Sequence, residues 1–171
     1  MTDERFGDDL LPAICRLPAR SGVVFRHYHL APKARRDLFR QVGKICRRRG
    51  HMLILAGSEK VALRWHADGF HGRHGVARST MLRSAPVHDH AELREALRNN
   101  ANLLFISPLF KTASHAGGKV LGRLAFNMLA HQRGTAMVIA LGGMTRQRAN
   151  SLKRQNIHGW AAIDAFRKTV L

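Results

Sequence analysis

Hydroxyl and cationic side chains cluster in one segment of the sequence, Ser107-Pro108-Leu109-Phe110-Lys111-Thr112-Ala113-Ser114-His115. It follows a short apolar run and is itself followed by two glycines. Thr112 and Ser114 offer hydroxyl groups, and Lys111 and His115 offer positive charge. Such groups on a glycine-rich loop suit an anionic substrate. An ordinary polar loop is the alternative interpretation.

A second candidate for anion binding is the pair Gly142-Gly143, which comes directly after the apolar run Ala136–Leu141. A helix is predicted to begin near Thr145. Free backbone N–H groups in a strand-to-helix turn form a cradle for phosphate, and glycine permits close approach of the anion. A tight turn without a ligand has the same pattern.

Histidines near predicted strand ends could form metal-binding pairs, His71 with His74 or His88 with His90. These pairs lack neighbouring cysteines or carboxylates of suitable spacing. We therefore predict no metal site and interpret most of these histidines as surface or structural residues.

The elements that must position these groups are short apolar strands that alternate with helical patterns. Continuous apolar strands separated by helices indicate a parallel sheet that is covered on both faces. A helix-like segment over residues 8–16 precedes the first strand and implies an earlier strand, which brings the count to eight. We predict a (β/α)8 barrel of TIM type with a truncated or vestigial first strand, and an open doubly wound sheet is the alternative. The predicted strands are 23–27, 51–56, 68–71, 83–88, 102–107, 136–141 and 158–163.

Composition limits the class of protein. The 171 residues and 45% hydrophobic content predict one folded domain, residues 1–171. No apolar run approaches the ~20 residues that span a bilayer, and we expect no membrane partner. The first residues do not resemble a secretory signal. Two cysteines make no disulfide framework, which fits a cytoplasmic location.

The chain is strongly basic, with 29 Lys and Arg against 11 Asp and Glu and a net charge of +18. Such charge attracts polyanions, so nucleic acid is an alternative partner. The densest basic run, Lys33 to Arg49, also has a helical apolar face. We interpret this run as a solvated helix face, and nucleic-acid binding as the weaker hypothesis.

Four segments and their order resemble the thiamine-phosphate synthase and thiazole tautomerase family of barrels. The resemblance covers nearly the whole chain, and Thr2-Asp3 is similar to the end of the family's first strand. The four segments are Ala67-Asp68-Gly69-Phe70-His71, the loop 107–115, Val138-Ile139-Ala140-Leu141-Gly142-Gly143-Met144-Thr145 and Gly159-Trp160-Ala161-Ala162-Ile163.

The family's enzyme joins a hydroxymethylpyrimidine diphosphate to a thiazole phosphate and releases pyrophosphate. For the thiazole phosphate, the resemblance implies binding by Thr112, Ser114, Gly142 and Gly143, with the backbone of Ile163 as a further donor. Asp164 stands where the family has a small residue, and its carboxylate would repel phosphate unless it turns away to cap its own helix.

The diphosphate and magnesium half departs from the family. The expected Asn-Asp pair is replaced by Ala56-Gly57, and residues 72–75 contain no acid. Magnesium is held by hard oxygen ligands, so we expect this ion only together with a diphosphate substrate. The resemblance implies Arg26 and His115 as catalytic residues that supply fixed positive charge, alongside Lys111.

The sequence predicts a divergent thiamine-phosphate synthase-like protein of thiamine biosynthesis that binds a phosphate-bearing small molecule. A non-catalytic or regulatory phosphate-ligand barrel is the alternative. Without a full first strand, the edges near 23–27 and 158–163 face a gap with unpaired backbone groups. We expect residues 1–6 to cover part of this gap, and we expect a homodimer.

Overall fold

A computed structural model describes residues 1–75, 78–112, 120–152, 155 and 157–166. Within these ranges seven parallel strands form one sheet, and their spatial order is their order along the chain. A doubly wound sheet reverses its strand order at a switch point, so the predicted barrel architecture is confirmed and the alternative is wrong. The strands are β1 (Gly22–Phe25), β2 (Met52–Ala56), β3 (Gly69–His71), β4 (Leu82–Val87), β5 (Leu103–Ile106), β6 (Met137–Ala140) and β7 (Gly159–Trp160).

Helices connect most of the strands and begin and end at recognisable capping residues. Pro32 stands in the first turn of the helix Pro32–Arg49, and Gly50 ends that helix in a left-handed conformation. The side chains of Ser58, Asp89 and Thr145 accept hydrogen bonds from the first turns of the helices that begin at Glu59, His90 and Arg146. The helices are α1 (Leu10–Arg16), α2 (Pro32–Arg49), α3 (Glu59–Trp65), α4 (His90–Arg98), α5 (Gly122–His131) and α6 (Arg146–Asn150).

Two predicted helices differ from the expectation. The helix expected over residues 8–16 begins as a 3-10 segment, Glu4–Asp9, because Gly7 adopts a non-helical conformation with φ 49°. The helix expected after Asp164 is a short 3-10 turn, Asp164–Phe166, in the part of the chain that the structure describes. No helix within the described ranges is both long and apolar enough to cross a membrane.

The sheet is buried on both faces. Its inner face lines the barrel with apolar side chains, and its outer face packs against the helices. This double burial explains why the strands read as continuous apolar runs. The inner cluster includes Val24, Ile54, Ala56, Leu103 and Phe105.

Residues 1 and 2 bridge the two edges of the sheet. The Met1 amino group donates to the carbonyl oxygen of Ala162, beyond β7, at 2.9 Å. The Thr2 amide donates to the carbonyl oxygen of Val24 in β1 at 2.8 Å. The expectation that the first residues cover part of the gap is therefore confirmed. The described residues form seven strands and not a closed eight-stranded barrel.

Candidate functional site

A cavity of about 630 Å³ opens at the carboxyl ends of the strands. Loops after β1, β4, β5, β6 and β7 contribute to its wall, as expected for a barrel of this type. Two sequence-predicted site residues, Ser114 and His115, lie outside the described residues. Arg26, Thr112, Gly142, Gly143 and Ile163 line this one cavity, whereas Lys111 is exposed and is not among its lining residues.

The turn after β6 requires glycine at both of its positions. Gly142 and Gly143 have φ angles of 92° and 61°, which other residues rarely adopt. A Cβ atom on Gly142 would lie 2.6 Å from Cα of Pro108. A Cβ atom on Gly143 would collide with the carbonyl oxygen of Lys111. The two glycines therefore let this turn pack directly against the loop that follows β5.

Three backbone amides at the cavity wall have no acceptor among the residues that the structure describes. The N–H groups of Gly142, Gly143 and Ile163 donate to no group within the described ranges. Backbone donors that are not paired by protein groups require water or a ligand. Successive N–H groups in such turns make concave anion sites. The arrangement can accept a phosphate-type group without any cationic side chain.

An alternating chain of charges runs along the rim of the cavity. A guanidinium nitrogen of Arg26 lies 3.9 Å from the Asp3 carboxylate, and Nε of Arg5 donates to Asp3 at 2.7 Å. Arg5 also donates to Asp164 at 2.9 Å. Burial alone would raise the pKa of Asp3, but the hydrogen bonds and charge of Arg5, together with Arg26, lower it. Asp3 therefore stays ionised beside Arg26.

This network corrects the expectation for Asp164. Its carboxylate forms an ion pair with Arg5, which is 159 positions away in the chain. Helix capping alone therefore does not describe its contacts. Asp164 still lines the cavity. The positive charge of Arg5 offsets the negative charge that would otherwise oppose an anionic ligand.

His88, which the sequence suggested only as a possible metal-binding partner of His90, also lines the cavity. Nδ1 of His88 lies 2.7 Å from Oε2 of Glu92, and the His88 amide donates to the same oxygen at 2.8 Å. The other carboxylate oxygen is 2.6 Å from Nη1 of Arg73. Asp89 and Glu92 have the spacing of a capping box, in which the glutamate side chain reaches back to the amide of the N-cap residue. In the structure Glu92 reaches one residue further back and holds the His88 ring.

The ends of β1 and β2 hold a cation at Ala56, where the family resemblance led us to expect magnesium ligands. Arg35 donates to the carbonyl oxygens of Arg26 at 2.9 Å and of Ala56 at 2.6 Å. Its guanidinium also lies over the ring of Tyr28. Within the described ranges no group of three or more metal-ligating side chains is assembled. A guanidinium in place of carboxylates repels a divalent cation, so this donor set does not fit a resident magnesium ion.

His71 stands at the carboxyl end of β3 as a neutral residue. Its Nδ1 lies 2.9 Å from the Ser84 hydroxyl, which donates to the carbonyl oxygen of Phe70. Burial, with Arg26 as a secondary influence, lowers the pKa of His71 to about 4. Since the Ser84 proton is engaged, Nδ1 carries the ring proton. His71 is thus a structural link between β3 and β4.

Comparison with known proteins gives a consistent answer. The family model for thiamine monophosphate synthase matches residues 9–166. No curated protein matches the sequence.

Two solved structures share the fold. A thiamine phosphate pyrophosphorylase from Pyrococcus furiosus superimposes with a TM-score of 0.79 at 19% identity, over 96% of this chain and 83% of that chain. A thiamine phosphate pyrophosphorylase from Bacteroides thetaiotaomicron gives a TM-score of 0.63 at 15% identity, over 96% of this chain and 81% of that chain. At these identities the likeness shows the fold alone.

Proposed function

Because the chain belongs to the thiamine monophosphate synthase family, we propose that it is a thiamine-phosphate synthase-like protein. It binds a thiazole phosphate-type ligand in the cavity at the carboxyl ends of its strands. The proposed reaction is the condensation of that ligand with a hydroxymethylpyrimidine diphosphate, with release of pyrophosphate.

The observation that carries this proposal is the set of amides at Gly142, Gly143 and Ile163 on one cavity wall, which have no acceptor in the described part of the chain. These three N–H groups would hold the phosphate of the thiazole ligand. Thr112 lines the same cavity and would add a hydroxyl donor. Fixed backbone donors bind an anion without reorganisation, which favours tight binding.

The diphosphate would face fixed cations instead of a resident metal ion. Arg26 lines the cavity, and its guanidinium is steadied by Asp3. When the C–O bond to the diphosphate breaks, negative charge develops on the departing oxygen, and positive groups near it lower the barrier. A magnesium ion would enter with the diphosphate, whose own oxygens supply ligands.

A condensation assay tests the proposal. The purified protein is supplied with hydroxymethylpyrimidine diphosphate, thiazole phosphate and magnesium, and formation of thiamine phosphate is measured. Product formation that is lost in a Gly143→Ala variant supports the proposal. Growth rescue of a strain that lacks thiamine-phosphate synthase is the parallel test in cells.

The alternative is a phosphate-ligand barrel without catalysis. The replacement of the expected carboxylates by Ala56-Gly57, with Arg35 beside them, favours it. In that case the protein binds thiazole phosphate with the wild-type turn intact, yet forms no product at any magnesium concentration. Calorimetry with thiazole phosphate tests the binding that both functions share, and the condensation assay on the same protein distinguishes them.

A further inference from the structure

We propose that His88 is a ligand-binding residue of this cavity, where its Nε2–H donates to a phosphate-type group, and that Glu92 is its positioning residue. The proposal rests on the proposed function in placing a phosphate-bearing ligand in the cavity. It adds a cationic contact that the comparisons do not assign.

The first step concerns the orientation of the ring. A carboxylate only accepts hydrogen bonds, so the 2.7 Å contact with Oε2 of Glu92 requires a proton on Nδ1 of His88. The His88 amide donates to the same oxygen at 2.8 Å. Backbone and ring of His88 are therefore held by one carboxylate atom, and Nε2 is the nitrogen that remains for a ligand. Nε2 has no hydrogen-bond partner in the described part of the chain.

The Glu92 carboxylate that holds the His88 ring is itself shielded from solvent and paired with a cation. The Glu92 side chain is only 16% exposed and receives Arg73 on its other oxygen at 2.6 Å. The carboxylate therefore contacts Arg73 through one oxygen and His88 through the other. In the imidazolium form of His88 both ring nitrogens carry protons, so Nε2 can donate to an anionic ligand while Nδ1 donates to Glu92. Glu92 and the ligand would thus hold the same charged ring from opposite sides.

The helix α4 and the strand β4, which carry Glu92 and lead to His88, are tied together by hydrogen bonds. Glu92 lies in α4, and the amide of Glu92 donates to the N-capping Asp89 at 2.8 Å. The far end of α4 is tied to β4 by the fully buried Arg83, which donates to the carbonyl oxygens of Ala96 and Asn99. His88 follows β4 directly. The strand, the helix and the carboxylate therefore hold the ring as one unit at the cavity wall.

The chain contains a matched control for this pair. Nδ1 of His74 lies 3.1 Å from Oε1 of Glu95, which is also on α4, but the His74 side chain is 79% exposed. His74 does not line the cavity. A variant at His74 therefore breaks a similar histidine–glutamate contact away from the proposed ligand.

The experiment measures the binding of inorganic pyrophosphate by calorimetry to the wild-type chain, His88→Asn, Glu92→Gln and His74→Asn. Asparagine at position 88 keeps an amide N–H near the position of Nδ1 but has no atom at the position of Nε2. We expect His88→Asn to bind roughly tenfold or more weakly, the size of a lost charge-assisted hydrogen bond. His74→Asn should bind as the wild type does. Equal affinity for wild type and His88→Asn, or no binding by the wild type, overturns the proposal.

A spectroscopic measurement separates a ligand contact from a structural role. In the wild type, added pyrophosphate should shift the imidazole Nε2 signal of His88 in a nitrogen-15 spectrum. Glu92→Gln should reduce that shift because the ring is no longer held. An Nε2 signal that does not move on saturation with pyrophosphate overturns the proposal. His88-dependent binding without condensation activity would support this inference while the proposed reaction fails.

Discussion

The Thr2 amide donates to the carbonyl oxygen of Val24 at 2.8 Å, which attaches the first residues to the free edge of β1. The Thr2 hydroxyl accepts from the Arg26 amide at 2.9 Å and lies 3.0 Å from Nδ1 of His27. The buried Thr2 side chain thus supplies an acceptor for the backbone amide of Arg26, which follows β1 and lines the cavity. The position of Arg26 depends on this contact.

Replacement of Thr2 by valine tests that dependence. Thr2→Val keeps the shape of the side chain but leaves the Arg26 amide and the His27 ring without their partner. We expect a loss of about 1–3 kcal/mol in the free energy of unfolding, measured by urea denaturation. Thr2→Ser keeps the hydroxyl and serves as the control, with most of the stability retained. Equal stability of the valine and wild-type proteins would contradict the prediction.

The crowded glycine turn after β6 predicts that alanine at Gly143 lowers the free energy of unfolding more than alanine at Gly50 does. Gly143 and Gly50 have nearly equal φ angles of 61° and 64°, but only Gly143 has neighbours in the space of a Cβ atom. Gly50→Ala should cost about 1 kcal/mol from backbone strain alone. Gly143→Ala should cost roughly 2 kcal/mol or more, since the turn must also move. Urea denaturation measures both, and similar losses would show that crowding at Gly143 is unimportant.

Magnesium binding should depend on a diphosphate. The guanidinium of Arg35 occupies the carboxyl ends of β1 and β2, and Asp164 is paired with Arg5. We therefore expect no saturable heat when magnesium is titrated into the ligand-free protein. With pyrophosphate present, binding should appear because the ligand supplies oxygens. Tight binding to the ligand-free protein would show that a donor set has been overlooked.

His71 predicts a loss of stability on acidification. Its pKa is about 4 in the folded protein against an ordinary value of 6.5. Below pH 6.5 the unfolded chain takes up a proton that the folded chain does not, so stability is full above 6.5 and declines as pH falls to 4. The contribution is on the order of 3 kcal/mol.

The measurement is urea denaturation at several pH values between 7.5 and 4.5 for the wild type and His71→Asn. The variant should have a smaller free energy of unfolding than the wild type at pH 7.5, but that free energy should fall less on acidification. His27 and His51 also have lowered pKa values, mainly through burial. Part of the pH dependence of the unfolding free energy should therefore remain in the variant. An unchanged slope in the variant would exclude His71 as a source.

The strands, most helices and the parallel barrel could be predicted from the sequence because they depend on local patterns. Apolar runs, Pro32, Gly50 and the capping residues act on neighbours a few positions away. The Gly142-Gly143 turn was predicted for the same reason, and the structure adds the close contact with Pro108 that makes glycine necessary.

Long-range pairings were decided only by the tertiary structure. Local spacing assigns Glu92 to a capping box and Asp164 to the cap of its own helix, yet in the fold Glu92 contacts His88 and Arg73, and Asp164 pairs with Arg5. A carboxylate has several acceptor positions, and local spacing identifies only the donors nearest in the chain. The other donors reach the carboxylate because strands and loops that are distant in sequence meet at one end of the barrel. Residues far apart in the chain become neighbours there.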